Sequence, residues 1–310
     1  MNYLLLLAGF IILILGGNWL LKAAVGLSLR LKIPKIVIGM TIVSFATSMP
    51  ELIVSLNSAL AGHADIALGN VIGSNIANLG LVLGIVTITS TISVEKSFYK
   101  IDWPVMMFSS VLLYVFIVFD GLIQRYEGAI LFSLLIIFLI YLLKFQKTAV
   151  VDEMPEDDVE LPVLKAMMYF IIGGVGLWLG SELLIKGAVN LANQFGVSER
   201  IIGVTIISIG TSIPELAASM VAVVKKEKAI SIGNLLGSNV FNILAVLGIT
   251  SMVTPIRAQD PGLITYDIIW MLVIALLIFP LVFVPTRMKL SWKEGLVLLG
   301  FYVIFITLML

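Results

Sequence analysis

The segment GMTIVSFATSMPEL at residues 39–52 recurs 164 positions later as GVTIISIGTSIPEL at residues 203–216. A second pair of segments keeps the same offset, with GNVIGSNIANLGLVLGI at 69–85 and GNLLGSNVFNILAVLGI at 233–249. Two segments that recur in the same order at one offset indicate an internal duplication. Each copy also places a single glutamate within an otherwise apolar stretch, so the duplication predicts both the fold and the location of a polar site.

The composition indicates an integral membrane protein. The chain has 310 residues, of which 60% are hydrophobic and only 12% are charged, and its mean hydropathy is +1.13. A soluble domain is nearer half apolar and a quarter charged. The net charge is zero, which argues against a nucleic-acid partner, and the absence of cysteine excludes disulfide scaffolds and thiolate metal sites.

Apolar runs predict ten membrane helices, so the expected fold class is an all-α polytopic membrane protein. The first run lacks a basic leader and a small-residue cleavage site, and we interpret it as a retained span rather than a removed signal peptide. The predicted helices cover roughly residues 3–21, 36–60, 66–89, 104–119, 127–144, 164–186, 200–224, 230–252, 266–285 and 293–310.

The basic residues of the connectors predict the orientation. If the N-terminus lies outside, 15 lysines and arginines fall in cytoplasmic connectors and 4 in outer connectors. Basic residues favour the cytoplasmic side of a membrane. We therefore expect a protein of the plasma (inner) membrane with both termini outside.

Five spans in each half make the duplication an inverted-topology repeat, because an odd number of spans reverses the orientation of the second copy. The first five-helix repeat covers 1–144 and contains the motif at 39–85. The second covers 164–310 and contains the motif at 203–249. A short acidic segment, 145–163, joins them on the predicted cytoplasmic side. It is interpreted as a solvated linker, with a cytosolic cation sensor as the alternative.

The first motif concentrates oxygen ligands on one part of a helix. Thr47 and Glu51 are four residues apart and share a face, with Ser48 beside it. Pro50 lacks an N–H, so it kinks the helix and frees the carbonyl of Ala46. Hard cations such as Ca²⁺ prefer carboxylate, hydroxyl and carbonyl oxygens. The equivalent positions of the second copy are Ser208, Gly210 with the freed carbonyl, Thr211, Ser212, Pro214 and Glu215.

Two carboxylates at membrane depth are costly and need a compensating interaction. A charged residue at the centre of a span costs at least about 2.5–3.5 kcal/mol. A divalent cation held between Glu51 and Glu215 would cancel both charges. The alternative is that each glutamate is protonated and hydrogen-bonded between helices.

The second motif carries small and polar residues at helical spacing. Gly69, Gly73, Gly233 and Gly237 predict close helix packing. Ser74 and Asn78 share a face four residues apart, as do Ser238 and Asn242. These side chains either complete a coordination shell or form interhelical hydrogen bonds. For Asn70, Asn75, Asn234 and Asn239 we expect packing roles.

With GTSIPEL and GN-x-x-GSN-x-x-N present twice, the chain resembles the prokaryotic type of sodium/calcium exchanger, within the calcium/cation antiporter superfamily. The resemblance implies alternating access, in which Na⁺ entry drives Ca²⁺ extrusion and the first and sixth helices slide past the rest. It implies Ca²⁺ ligands at Glu51, Glu215, Thr47 and Thr211. It implies sodium or central sites at Ser74, Ser238, Asn78 and Asn242, with backbone carbonyls at Ser44 and Ser208.

One residue departs from the family pattern. Many exchangers have Asp where this chain has Asn242, which removes a third negative charge and leaves open the Na⁺ stoichiometry, K⁺ dependence and proton coupling. The alternatives are a Ca²⁺/H⁺ or other divalent cation exchanger and, in a different class, a passive cation channel. No enzyme motif is present, and no cofactor or required protein partner is expected beyond the transported ions and the bilayer.

Overall fold

The computed structural model describes residues 2–145, 161–194, 208–285 and 287–309, and most of these residues are helical. The twelve helices in this part of the chain are α1 (Asn2–Leu31), α2 (Lys35–Thr47), α3 (Met49–Leu60), α4 (Ala64–Thr89), α5 (Phe98–Val118), α6 (Arg125–Phe145), α7 (Val163–Gln194), α8 (Ser208–Thr211), α9 (Ile213–Val224), α10 (Lys228–Val253), α11 (Leu263–Phe283) and α12 (Trp292–Met309).

Within the described residues, eight helices are long and apolar enough to cross a membrane, and the bent pair α2–α3 adds a ninth. Helix α9 is apolar but shorter. The prediction that the chain is mostly helical and membrane-spanning is confirmed. The predicted helix 200–224 is described only from Ser208 onward, and most of the acidic linker lies outside the described residues.

The predicted boundaries were wrong by several residues at four helices. Helices α5 and α11 begin earlier than predicted, at Phe98 and Leu263. Helix α1 continues to Leu31, ten residues beyond its predicted end, and α7 continues to Gln194. The residues added to α1 and α5 include charged side chains, among them Lys22, Arg30, Lys100 and Asp102, which an apolar run does not include.

Helices α4 and α10 form the centre of the molecule. In their most apolar stretches 78% and 83% of the residues are buried, against 28% in α7 and α12. Both helices contain a π-helical segment, Ala77–Val82 in α4 and Asn242–Leu247 in α10. A π-helical turn adds a residue to the helix and often marks a functional position. Here the two wide turns contain the predicted site residues Asn78 and Asn242.

Glycines allow α2 and α10 to pack closely. A Cβ atom on Gly233 would overlap the carbonyl oxygen of Ile36, and one on Gly237 would overlap the side chain of Ser44. The predicted close packing at these two glycines is confirmed. Gly69 differs, because its added Cβ would make only an ordinary 3.6 Å contact with Leu263.

Glycines also allow α1 and α7 to pack closely, along a line of contact that we call the glycine seam. A Cβ on Gly16 would lie 2.8 Å from the backbone nitrogen of Leu177, and one on Gly173 would lie 2.5 Å from that of Leu20. The backbones of these helices therefore touch along their length. The two helices pack mainly against each other and, through α1, against α9.

Two antiparallel strand pairs, which the sequence did not predict, join the connectors. They pair β1 (Ile92–Ser93) with β4 (Lys289–Leu290) and β2 (Leu122–Ile123) with β3 (Ile256–Arg257). Strands β1 and β4 lie in connectors predicted to be cytoplasmic, whereas β2 and β3 lie in connectors predicted to be outer. Each pair therefore joins one connector from each half of the chain at a common end of the bundle.

Candidate functional site

Both proline motifs break a helix at the serine before the glutamate. Between α2 and α3 the chain bends by 44°, and Ser48 has φ −86° and ψ 4°. Ser212, between α8 and α9, has nearly the same dihedrals, −88° and 0°. The predicted kink in the first motif is confirmed, and its cause is the missing N–H of proline. Each break starts a new helix with a glutamate in its first turn, where the helix dipole favours negative charge.

The two glutamates lie fully buried and close together. Glu51 and Glu215 are both 0% exposed, and their carboxylates repel each other electrostatically. The Ser48 hydroxyl donates a hydrogen bond of 3.4 Å to Oε1 of Glu215. Helices α3 and α9, one from each half of the chain, thus bring their carboxylates to a common interior point.

Hydroxyl groups from opposite halves lie next to this acidic pair. Thr47 Oγ1 is 3.2 Å from Ser238 Oγ, and Ser74 Oγ is 3.1 Å from Thr211 Oγ1. Each contact joins a threonine of a broken helix to a serine of a central helix. The two contacts are equivalent under the 164-residue offset, and all four residues are buried.

Asn70 and Asn234 hold these threonines in place. Thr211 Oγ1 donates to Oδ1 of Asn70 at 3.3 Å, and Thr47 Oγ1 donates to Oδ1 of Asn234 at 3.2 Å. The amide nitrogens donate in turn to Ser55 and to its equivalent serine, at 3.0 and 3.1 Å. The packing role expected for these asparagines thus includes hydrogen bonds from and to polar groups on other helices.

A second asparagine cluster joins α4 to α10. Asn78 Nδ2 donates to Oδ1 of Asn239 at 3.2 Å, and Asn242 Nδ2 donates to Oδ1 of Asn75 at 3.1 Å. Hydrogen bonding uses the amide nitrogens of Asn78 and Asn242 and leaves their oxygens available. Asn75 and Asn239, for which a packing role was also expected, both accept hydrogen bonds across the centre.

Several oxygens at this centre receive no hydrogen bond from the described part of the chain. They are both carboxylate oxygens of Glu51, Oε2 of Glu215, and the Oδ1 atoms of Asn78 and Asn242. A buried acceptor without a partner costs roughly 1–3 kcal/mol, and more when it is charged. Five such atoms from two related motifs are chemically suited to a cation, because hard cations bind carboxylate and amide oxygens.

The two predicted carbonyl ligands are described to different extents. The carbonyl oxygen of Ser44 accepts a hydrogen bond of 2.9 Å from the Ser48 N–H. The hydroxyl of Ser44 donates to the backbone carbonyl oxygens of Gly39 and Asn234, at 2.8 and 2.9 Å. Ser208 begins α8, but its side chain lies outside the described residues.

The carbonyl of Gly210, which Pro214 frees, has a partner that the sequence did not reveal. Ser181 on α7 donates a hydrogen bond of 2.8 Å to it. This carbonyl therefore accepts a hydrogen bond from a side chain of another helix. The equivalent position in the first half is Gly17, which has no hydroxyl, so the contact is made on one side only.

The electrostatics of the site follow from two carboxylates among neutral oxygens. No cluster of three or more histidine, cysteine, aspartate or glutamate side chains with metal-site geometry occurs in the described residues. When both glutamates are ionised, the donor set carries two negative charges. Carboxylate, hydroxyl and amide oxygens favour hard cations over the softer metals that prefer nitrogen and sulfur.

These features define a class of protein, an integral membrane protein whose interior holds a polar, acidic site built from two related helical motifs. The chain matches the family model of the sodium/calcium exchanger protein over residues 1–144 and 165–310. It belongs to this family of cation exchangers, which are transporters and not enzymes.

Individual relatives match along nearly their whole length. The chain is 36% identical to the putative antiporter CaxA of Alkalimonas amylolytica, with 94% of this chain and 93% of the relative covered. It is 32% identical to the inner membrane protein YrbG of Escherichia coli, with 98% and 95% covered. It superimposes with a TM-score of 0.83 on a solved structure of the sodium-calcium exchanger NCX_Mj soaked with Na⁺ and Ca²⁺, at 28% identity and with 99% and 97% covered.

Proposed function

We propose that this chain is a secondary antiporter that exchanges Na⁺ for Ca²⁺ by alternating access. The observation that carries the proposal is the buried pair Glu51 and Glu215, one from each half of the chain, with three of their four carboxylate oxygens lacking a hydrogen-bond partner among the described residues. Membership in the exchanger family supports cation transport. The similarity to NCX_Mj, which was soaked with Na⁺ and Ca²⁺, supports these two ions.

Charge balance explains why the two ions would compete. One Ca²⁺ neutralises the two glutamates, whereas two Na⁺ ions are needed to cancel the same charge. A site that cannot stay empty at membrane depth without a large electrostatic cost favours exchange over uniport. With three Na⁺ the site carries +1, and exchange for one Ca²⁺ is electrogenic.

We assign the ligands from their positions around the glutamates. Thr47 and Thr211 supply oxygens to Ca²⁺ beside Glu51 and Glu215. Ser74 and Ser238, which contact these threonines, form the sodium sites together with the carbonyls of Ser44 and Ser208. The amide oxygens of Asn78 and Asn242 have no hydrogen-bond partner in the described part of the chain, and they complete the shell.

The proposed membrane architecture is ten spans in two inverted repeats of five, residues 1–144 and 164–310, with both termini outside the plasma (inner) membrane. The pairing of connectors supports this assignment. Both strand pairs join connectors that the basic residues place on the same side. The ion pair of Lys35 with Glu227 at 2.9 Å also joins two connector regions predicted to be cytoplasmic.

Switching between the two sides is proposed to occur by movement of α1 and α7 relative to the other helices. The glycine seam supports the view that these two helices move as a unit, because their backbones are in direct contact. Both helices also contact the broken helices of the site. Helix α1 packs against α9, and Ser181 of α7 binds the carbonyl of Gly210.

Proton coupling is the second candidate, and the absence of a third carboxylate favours it. Asn78 and Asn242 both stand at the centre, so the described residues give the site only two acidic groups. Paired glutamates can carry protons in place of Na⁺. A Ca²⁺/H⁺ exchanger would respond to an imposed pH gradient without Na⁺. A passive channel would conduct Ca²⁺ without any counter-ion.

The test is Ca²⁺ flux into proteoliposomes that contain the purified chain. We expect ⁴⁵Ca²⁺ to accumulate when an outward Na⁺ gradient is imposed at clamped pH. Accumulation driven only by a pH gradient would replace Na⁺ by H⁺ as the coupling ion. Ca²⁺ entry that needs neither gradient would identify a channel and overturn the proposal.

A further inference from the structure

An apolar groove of about 810 Å³ runs along the surface between α1 and α9. Phe10 and Ile14 line it from α1, and Leu216, Met220 and Val224 line it from α9. Apart from Asn18 and one lysine at one end, every residue lining the groove is apolar. The groove therefore suits a hydrocarbon chain and offers little to a polar molecule.

A second cavity of about 380 Å³ adjoins the polar end of this groove and shares two lining residues with it. Asn18 and Lys225 line both cavities, and Lys22 lines the second. The Nζ atom of Lys22 also lies 5.9 Å from the ring centre of Tyr169. Lys22 and Lys225 are exposed. Two ammonium groups thus stand at the mouth of an apolar groove.

The acidic residue in this cavity does not cancel these charges. Glu227 lines the cavity but forms an ion pair of 2.9 Å with a third lysine, Lys35. A further basic residue, Lys165, stands 5.7 Å from the ring centre of Tyr169, beside the same cavity. The end of the groove is therefore positive, and it complements an anionic group.

We propose that the groove and the lysine-lined cavity together bind one anionic phospholipid. An acyl chain lies in the groove, and the phosphate lies between Lys22 and Lys225. The dimensions agree, since Phe10 and Lys22 are separated by about 18 Å along α1 at 1.5 Å per residue. This distance is a little more than half of the roughly 30 Å hydrocarbon core of a bilayer, which is the depth of one leaflet.

The charge of the headgroup distinguishes this site from ordinary contact with the bilayer. Apolar surface on α1 or α9 would contact the chains of any lipid equally well. A lysine near a membrane surface interacts favourably with anionic lipids, and two lysines together predict at least about tenfold preference for an anionic over a zwitterionic headgroup.

Native mass spectrometry of the purified full chain tests the proposal. The protein in detergent is titrated with phosphatidylglycerol, with phosphatidylcholine of the same chains, and with glycerol phosphate. We expect retention of one phosphatidylglycerol, at least about tenfold weaker retention of phosphatidylcholine, and no retention of glycerol phosphate. Equal retention of the two lipids, or binding of glycerol phosphate alone, would overturn the proposal.

A double variant locates the site. Lys22→Gln with Lys225→Gln removes both charges at the groove, and Lys96→Gln with Lys144→Gln removes two exposed charges elsewhere. We expect the first pair to lose the preference for phosphatidylglycerol and the second pair to keep it. Loss in both double variants, or in neither, would contradict the assignment. The readout is lipid retention, so it is independent of which ions the protein transports.

Discussion

Asn75 and Asn239 exchange hydrogen bonds at the centre of the molecule. The Nδ2 atom of each donates to the backbone carbonyl oxygen of the other, at 3.3 Å in both directions. The two residues are separated by the 164 positions of the duplication. This reciprocal pair joins α4 to α10 at positions that are equivalent under the 164-residue offset.

This pair predicts a stability effect that is separate from ion binding. Asn75→Ala or Asn239→Ala leaves a buried carbonyl without its amide donor and an adjacent asparagine without its acceptor. We expect each variant to lose about 1–2 kcal/mol of stability. Thermal unfolding in detergent measures the loss, with Asn57→Ala on the exposed face of α3 as the control. Equal melting temperatures for Asn75→Ala and Asn57→Ala would contradict the prediction.

The threonines predict an effect on Ca²⁺ affinity. Thr47→Ala and Thr211→Ala remove a hydroxyl beside the glutamates, whereas Thr47→Ser and Thr211→Ser keep it. We expect the alanine variants to raise the KM for Ca²⁺ by about tenfold, which corresponds to roughly 1.4 kcal/mol, and the serine variants to stay within about twofold of wild type. Initial rates of ⁴⁵Ca²⁺ uptake over a range of Ca²⁺ concentrations provide the measurement. Alanine and serine variants that behave alike would refute the role of the hydroxyl.

The glycine seam predicts a defect in movement rather than in binding. A Cβ on Gly173 would overlap the backbone of Leu20 on α1, whereas one on the adjacent Gly174 would meet only the Cβ of Ala46 at 3.7 Å. Overpacking of this kind costs about 1–3 kcal/mol. We therefore expect Gly173→Ala to slow exchange about tenfold or more, with Gly174→Ala close to wild type.

Calorimetric Ca²⁺ titration separates movement from binding in these two variants. Because Gly173 does not line the acidic site, Ca²⁺ affinity is expected to change less than about threefold while the exchange rate falls. If Gly173→Ala lowered the Ca²⁺ affinity by the same factor as the exchange rate, the glycine seam would contribute to ion binding, and the prediction would be contradicted.

Ser181 predicts a difference between the two halves. Ser181→Ala removes the donor to the Gly210 carbonyl and leaves that carbonyl without its side-chain partner. We expect a loss of about 1 kcal/mol in thermal unfolding. The equivalent change in the first half, Gly17→Ala, tests the same position without a hydroxyl, and its cost would come from contact with Val221 at 3.0 Å. A Ser181→Ala protein as stable as wild type would contradict the importance of this hydrogen bond.

The features predicted correctly from sequence depend on local physical chemistry. Pro50 lacks an N–H, so the break at Ser48 could be predicted without knowledge of the neighbouring helices. The long apolar runs predicted the membrane helices because hydrophobic length is also a local property of the sequence. The offset of 164 residues predicted which positions are equivalent, and the structure places Glu51 and Glu215 together.

The features missed depend on contacts between distant parts of the chain. Asn70 binds a threonine 141 positions away, and nothing in the spacing of its own helix indicates that partner. Ser181 binds Gly210 across helices, which only the three-dimensional packing reveals. The strand pair Ile92–Ser93 with Lys289–Leu290 is too short to leave a pattern in the sequence. The one available signal was the repetition of Asn70 and Asn75 in the second motif.

The most direct test of the account is Na⁺-driven ⁴⁵Ca²⁺ uptake by wild type, Glu51→Gln and Glu215→Gln in proteoliposomes at clamped pH, with insertion verified for each. We expect wild type to accumulate Ca²⁺ against its gradient when Na⁺ is loaded inside, and both variants to remain at the level of empty liposomes. Wild-type-like accumulation by either glutamine variant would contradict the claim that the two buried carboxylates hold the transported ion.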